Sequence, residues 1–303
     1  MPFADATCHV LSHMAARGSQ VFDVMLIAPT EAGHCGVGLR QHVARFFRSA
    51  EMMGMEDVGE IGHLERAIAE TVMANVGLVK SDGPYNGTFL VKIIAAWAEP
   101  AIGLLPDGLT PTVYVVATPN DDEGPATALR DATTVRSSDM PKIPAEILPP
   151  SLKVAASYTP GLREQMKSLA MGFEHTAFKT VDGDLAESTT LSMLVVKDSK
   201  IVVPPLDNVL DGITRRVLLD AAQADGVAVD VRAIRWDEVR NADELILTST
   251  NKPVMPVSRL DDVELAAPGP VTDGLAATVD KILNGNHELS AKWLTPLQPL
   301  AAS

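Results

Sequence analysis

The sequence predicts two α+β lobes, and three observations carry that expectation. The chain of 303 residues is 46% hydrophobic and 21% charged, the balance of a chain that folds around a core. At roughly 150 residues per domain, this length accommodates about two lobes with a cleft between them. Helical and strand patterns are mixed along it, without the strict strand–helix–strand alternation of a doubly wound sheet.

In chain order, the apolar run from Val21 to Ile27, broken only by Asp23, reads as a strand, and the Gly-containing segment Glu31 to Gly38 as a loop. Val43, Phe46, Phe47 and Ala50 fall at i, i+3, i+4 and i+7, one face of a helix that runs to about Met53. Ile61, Leu64, Ile68 and Val72 mark a second amphipathic helix, followed by strands at 88–97 and 112–118. These make a small lobe of residues 1–118. The acidic, turn-forming run around Asn120-Asp121-Asp122-Glu123-Gly124-Pro125 places a linker at 119–132, and residues 133–303 form a larger lobe. There the sequence predicts a helix over 162–171, a hairpin of 191–196 and 201–203 across Asp198-Ser199, and a helix over 213–224 with Val217, Leu218, Ala221 and Ala222 inward. Strands at 227–234 and 244–249 and a closing helix at 272–283 complete it.

Thirty-nine acidic against 25 basic side chains leave a net charge of −14, which repels nucleic-acid backbones and anionic lipid surfaces. Cys8 and Cys35 form neither a disulfide framework nor a metal-binding spacing, as in a reducing cytoplasm. His9 and His13 lack the glutamate of HExxH, so a packed histidine is expected and no metal. The Gly33 to Gly38 run does not match a dinucleotide fingerprint. The N-terminus lacks the pattern of a signal peptide and no window is long and apolar enough to span a bilayer, so a soluble protein is expected.

Four segments carry candidate chemistry. Lys153 lies between Ile147-Leu148-Pro149-Pro150 and Val154-Ala155-Ala156; an amine on an apolar wall releases its proton more readily and serves as a nucleophile. Taken alone, a lysine reaching out of a loop is the commoner case. Glu187 follows the Asp182-Gly183 turn in a stretch of neutral residues, where a carboxylate needs a cation or a donor beside it. Leu210-Asp211-Gly212-Ile213-Thr214-Arg215 opens a helix whose free N–H groups suit a phosphate, and Thr248-Ser249-Thr250 offers further hydroxyls.

Together these pieces resemble the fold-type IV pyridoxal-phosphate enzymes, and within them the branched-chain aminotransferase group. His42-Val43-Ala44-Arg45 is similar to the family's HxxR helix, which makes Arg45 the phosphate arginine. Lys153 stands at the Schiff-base lysine, Tyr158 at the tyrosine that bonds the cofactor's phenolic oxygen, and Glu187 at the partner of the pyridinium nitrogen. Leu210 to Arg215 resembles the LxGITR phosphate cradle, and Thr248 to Val257 the second phosphate loop. The resemblance implies a two-lobed fold, a small N-terminal and a larger C-terminal lobe with pyridoxal 5′-phosphate between them, in a homodimer. Its cofactor shell would be Arg45, Lys153, Tyr158, Glu187, Thr189, Thr190, Leu210, Gly212, Ile213, Thr214, Ser249 and Thr250, with Phe22, Lys92, Asn251 and Lys252 toward the substrate. Lys153 would be catalytic in transamination between an amino acid or amine and a 2-oxo acid.

The chain departs from the branched-chain pattern at the pocket wall. Phe89-Leu90-Val91-Lys92 replaces a Tyr-Ile-Arg-Pro run, so an ammonium stands where the group has a guanidinium, without its bidentate grip on a carboxylate. Asp23-Val24-Met25 replaces Glu-Gly, and Leu191-Ser192-Met193 replaces Met-Asn. These changes leave room for D-amino acid or (R)-amine transamination, and the same lysine and cofactor would also serve an aminodeoxychorismate-lyase-like elimination. A non-catalytic acidic binding protein on the same fold ranks last, because the lysine, the glutamate and the cradle are all present.

Overall fold

The computed structural model describes residues 3–78, 87–120 and 127–297. The first lobe opens with a short helix α1 (His13–Arg17), then an antiparallel sheet built on β1 (Val21–Thr30) and β2 (Gly33–Val37). Helices α2 (Leu39–Met52) and α3 (Ile61–Asn75) follow, then β3 (Phe89–Ala96) and β4 (Thr112–Pro119). The Glu31–Gly38 segment is therefore largely strand, because Gly33–Gly36 pairs with the end of β1. Val43, Phe46, Ala50, Leu64, Ile68 and Val72 pack on the sheet face that carries Met25, Ile27, Val91 and Ile93. Packing against one sheet face explains the helical spacing of those residues.

The second lobe holds β5 (Thr133–Ser137), α4 (Thr159–Ala170), β6 (His175–Lys179), β7 (Leu185–Ser188), β8 (Ser192–Lys197) and β9 (Lys200–Val203). It continues with α5 (Ile213–Ala224), β10 (Val229–Val231), α6 (Trp236–Arg240), β11 (Glu244–Thr248), β12 (Met255–Leu260) and β13 (Val263–Glu264). Helices α7 (Pro270–Leu283) and α8 (Ser290–Trp293) and a last strand β14 (Leu294–Pro296) complete it. The larger sheet runs β10-β9-β8-β11-β12-β5-β6-β7, with β13 beside β12. Asp198 and Ser199 both take positive φ, 50° and 58°, the backbone of a tight two-residue hairpin. On α5, Val217, Leu218, Ala221 and Ala222 are buried, as their spacing requires.

One further expectation needs correction, and two contacts cross the expected lobe division. The strand expected at 227–234 is only Val229–Val231, because β10 is an edge strand with three partners on β9. The described part of the expected linker is not free chain: Ala128 is buried, and Arg130 N–H donates to the Val254 carbonyl at 2.8 Å. Residues 121–126 of that run lie outside the described residues. β14 leaves the C-terminal portion and pairs with β2, so the small sheet runs β14-β2-β1-β3-β4 and is not made from residues 1–118 alone. The expected packed histidine is present: His13 Nδ1 lies 2.8 Å from Ser19 Oγ and its ring meets Trp97 edge-on at 5.4 Å. No described helix is long and apolar enough to cross a membrane.

Candidate active site

β2 pairs only with residues 27–30 of β1, so the beginning of β1 keeps one free edge. The chain at 153–155 occupies it: Phe22 N–H donates to the Lys153 carbonyl at 3.1 Å and Ala155 N–H to the Gln20 carbonyl at 3.0 Å. Lys153 N–H in turn donates to Ser49 Oγ of α2 at 3.1 Å. The lysine is thus fixed by backbone on the small-lobe side of a cleft, and its Nζ donates to Tyr158 OH at 2.8 Å. Phe22 stands beside the pair, its ring centroid 4.8 Å from Lys153 Nζ and 5.4 Å from the Tyr158 ring.

The cleft offers about 860 Å³ of space out to its open mouth and is lined by every residue expected around the cofactor, from Arg45 and Lys153 through Tyr158, Glu187, Thr189 and Thr190 to Leu210, Gly212, Ile213, Thr214, Ser249 and Thr250. Opposite the lysine, α5 begins at Gly212 without a side-chain cap, which leaves first-turn N–H groups for an anion. A Cβ at position 212 would lie 2.7 Å from Ser192 Oγ, so only glycine leaves the cradle open. Arg215 lines the same wall, is 4% exposed, and its buried Nε has no hydrogen-bond partner among the described residues. An unengaged buried guanidinium donor and an uncapped helix start, with the Thr214 hydroxyl on the same wall, form a donor set for a phosphate. With an amine, a phenol and a carboxylate on the remaining walls, the residues present fit pyridoxal phosphate.

Arg45 belongs to a buried network that spans the lobes. Its Nε and Nη2 each donate to the Asp23 carboxylate at 2.7 Å, and Nη1 donates to the Asp211 carbonyl at 2.7 Å, at the mouth of the cradle. Of five guanidinium hydrogens, these three bonds leave two for another acceptor. His42 Nδ1 lies 2.7 Å from the same carboxylate. Burial opposes charge on Asp23, but Arg45 and His42 outweigh it and hold the carboxyl well below the usual range. Burial pushes the His42 imidazole below its ordinary value against the pull of Asp23. Asp23, at the expected pocket wall, is in fact fully buried and grips the arginine. Thr250 Oγ1 adds a second tie between lobes, donating to the Val24 carbonyl at 3.1 Å.

The expected substrate residues divide. Lys92 lies with its Nζ 4.6 Å from the Phe22 ring centroid, and burial together with the nearby Lys153 lowers its pKa. Phe22 and Lys92 therefore adjoin the cleft beside Lys153. Like Phe22 and Lys92, Asn251 and Lys252 are not among its lining residues. They form the turn after β11, closed by Ser249 N–H to the Lys252 carbonyl at 2.9 Å, and Asn251 Oδ1 accepts from Ser249 Oγ at 3.0 Å. The tight turn uses these residues to present Ser249 and Thr250.

Lys142, Ser192, Arg215 and an apolar wall of Leu148, Pro149 and Leu152 also line the cleft. Arg215 and Ser192 stand inside motifs that the sequence offers. Lys142 has no such signal: it lies in an irregular stretch between two prolines, Pro141 and Pro144, and reaches Glu187 only through the pairing of β5, β6 and β7.

Gly212→Ala is expected to weaken pyridoxal phosphate binding about tenfold, since a methyl forced into a filled space costs roughly 1–3 kcal/mol. Adding Ser192→Ala to that variant restores most of the affinity. Equilibrium titration of the two proteins checks both statements, and an unchanged single variant contradicts the close fit.

Comparison with known proteins places this geometry among relatives. The sequence profile described as amino-transferase class IV matches residues 20–260. The branched-chain-amino-acid aminotransferase of Pseudomonas aeruginosa is 27% identical over 293 residues, covering 96% of this chain and 92% of that protein. The T.th. branched-chain amino acid aminotransferase, solved with N-(5′-phosphopyridoxyl)-L-glutamate, superposes with a TM-score of 0.88 at 26% identity, covering 98% of this chain and 96% of that one. The branched-chain aminotransferase of Thermoproteus uzoniensis, solved with norvaline, shares the fold with a TM-score of 0.88 at 24% identity, over 98% of this chain and 96% of that one. The match over most of the chain settles its kinship: it belongs to the class IV aminotransferases, the two-lobed fold-type IV enzymes that work with pyridoxal phosphate.

Proposed function

We propose that this aminotransferase moves an amino group from an L-amino acid with an apolar side chain to a 2-oxo acid, with Lys153 as the amine that holds the cofactor and carries the proton. The observation behind this reading is the cleft in which the Lys153–Tyr158 pair faces Glu187 and the uncapped start of α5. Pyridoxal phosphate, when bound, supplies an electron sink for negative charge at the substrate Cα.

The chain's own residues do the rest. Arg45, Thr214, Thr250 and the first N–H groups of α5 would fix the phosphate, which holds the reacting end in register. Glu187 would place a negative charge at the ring nitrogen and keep a proton there. Lys153 Nζ, released from covalent work, would take the proton from substrate Cα and return it on the cofactor side. Tyr158 OH, 2.8 Å from that Nζ, holds the amine in reach. Leu148, Pro149 and Leu152 keep water from one side of the cleft.

For the substrate, the pairing of β1, β3 and β4 puts Phe22, Ile94 and Tyr114 in one row and Val24, Lys92 and Val116 in the next. This is an apolar face with one ammonium, suited to an aliphatic side chain and, at Lys92, to a carboxylate. The activities of the Pseudomonas aeruginosa and T.th. relatives support the branched-chain choice. The same reading includes a homodimer, in keeping with exposed Ile102, Leu104 and Leu105 at 88%, 75% and 64%, a cytoplasmic location, and a lobe division at 119–132.

The test adds L-leucine, L-glutamate, D-alanine or (R)-1-phenylethylamine singly to the protein loaded with pyridoxal phosphate, with no oxo acid present. L-leucine is expected to give one equivalent of pyridoxamine 5′-phosphate. Conversion by D-alanine or the (R)-amine alone overturns the substrate assignment, and pyruvate release from aminodeoxychorismate without an acceptor makes the enzyme an eliminase.

A further inference from the structure

Glu187 does not stand alone in the cleft. The Lys142 ammonium is paired with its Oε1, with side chains 26% and 9% exposed. Leu210 N–H also reaches Oε1, at 3.4 Å, so both donors fall on one oxygen and Oε2 is engaged by neither. The lysine is held firmly for a residue in irregular chain. Lys142 N–H donates to the Lys179 carbonyl at the end of β6, and Ser138 N–H to the Ala177 carbonyl, at 2.8 and 2.7 Å. Behind them the buried Glu164 accepts from Arg136 Nη2 at 3.0 Å and from Ser138 Oγ at 3.2 Å. The segment is thereby anchored to the strand beside β7, which carries Glu187.

We propose that Lys142 is a positioning residue that shares the charge of Glu187: it holds Oε1 and leaves Oε2 for the cofactor's ring nitrogen. This rests on the reading of Glu187 as the ring-nitrogen partner. A buried carboxylate without a cation takes up a proton or binds a cation more tightly. With Lys142 in place the ring nitrogen meets a carboxylate whose charge is already shared, so protonation of the ring adds less to binding. Without it Glu187 keeps only the Leu210 N–H and the Coulombic influence of Arg215, and binding depends more on the ring proton.

The experiment compares pyridoxal phosphate with its 1-deaza analogue, in which the ring nitrogen is a C–H group that cannot share a proton. Dissociation constants are measured for the wild-type chain, Lys142→Met and Lys142→Arg, together with the 15N chemical shift of ring-labelled pyridoxal phosphate and the melting temperature. The ratio of the two constants is expected to rise about tenfold in Lys142→Met, the effect of one neighbouring charge on a carboxylate. The 15N resonance moves toward the protonated form, and Lys142→Arg keeps the wild-type ratio. A ratio within twofold of wild type in Lys142→Met, or an equal loss of affinity for both compounds, overturns the proposal and leaves Lys142 a structural ion pair. A wild-type chain that binds neither compound overturns the cofactor reading itself, and is seen before any variant is compared.

Discussion

Lys153→Ala is expected to lose amino transfer while keeping its fold. Proton transfer by a positioned side chain contributes on the order of 10²–10⁴ in rate, and the same amine would hold the cofactor, so single-turnover conversion of L-leucine should fall by at least that factor. The side chain donates to Tyr158 OH, whereas the segment is held by the main-chain bonds of residues 153 and 155. Truncation should therefore change stability by only about 0.5 kcal/mol. The pair of measurements is a quenched-flow assay and a melting curve. A variant that transfers amino groups at the wild-type rate refutes the role of Lys153. Phosphate affinity should survive in large part, since Arg45, Thr214, Thr250 and the start of α5 are untouched.

Asp23→Asn should be the most destabilising single change at this site. Asp23 is fully buried and accepts from Arg45 twice and from His42. Removing its charge leaves a buried guanidinium without its partner, which costs roughly 3–5 kcal/mol. Pyridoxal phosphate affinity should fall as well, because the carboxylate aims Arg45 at the Asp211 carbonyl and the cradle. Replacing both partners, Asp23→Leu with Arg45→Met, should recover most of the stability and none of the phosphate affinity. Denaturant unfolding and cofactor titration on the two proteins separate these effects. Equal loss of stability in the single and double variants contradicts the charge argument.

The same cluster shapes the response to acid. Asp23 is depressed in the folded chain, so its contribution is complete above the unfolded value near 3.8 and is lost only as pH falls through the still lower folded value. His42 is lowered by burial, so below about 6.5 the unfolded chain binds a proton that the folded chain refuses. Stability from His42 is therefore complete above that value and declines as pH falls beneath it. His175, pushed down to about 4 by burial and by Lys252, acts in the same direction between about 6.5 and 4. A His175→Gln variant should show a shallower loss of stability across that window, by about 1.4 kcal/mol per pH unit at most.

What the sequence by itself determined is what short-range pattern encodes. The α5 helix is legible because Val217, Leu218, Ala221 and Ala222 repeat at helical spacing under one core. The hairpin at Asp198-Ser199 is legible because both residues tolerate positive φ. Lys153, Glu187 and Gly212 each sit in a local context that is ambiguous alone, and their order along the chain, through the family resemblance, singles them out. Tertiary structure alone decided the rest. β2 reads as loop because its glycines give no strand signal, and only its pairing with β1 and β14 makes it a strand. The burial of Asp23 depends on Arg45, 22 residues away, and the company of Glu187 depends on Lys142, 45 residues away. A charged side chain can be buried only where a partner meets it, and across such separations the meeting is fixed by strand order and lobe packing rather than by periodicity.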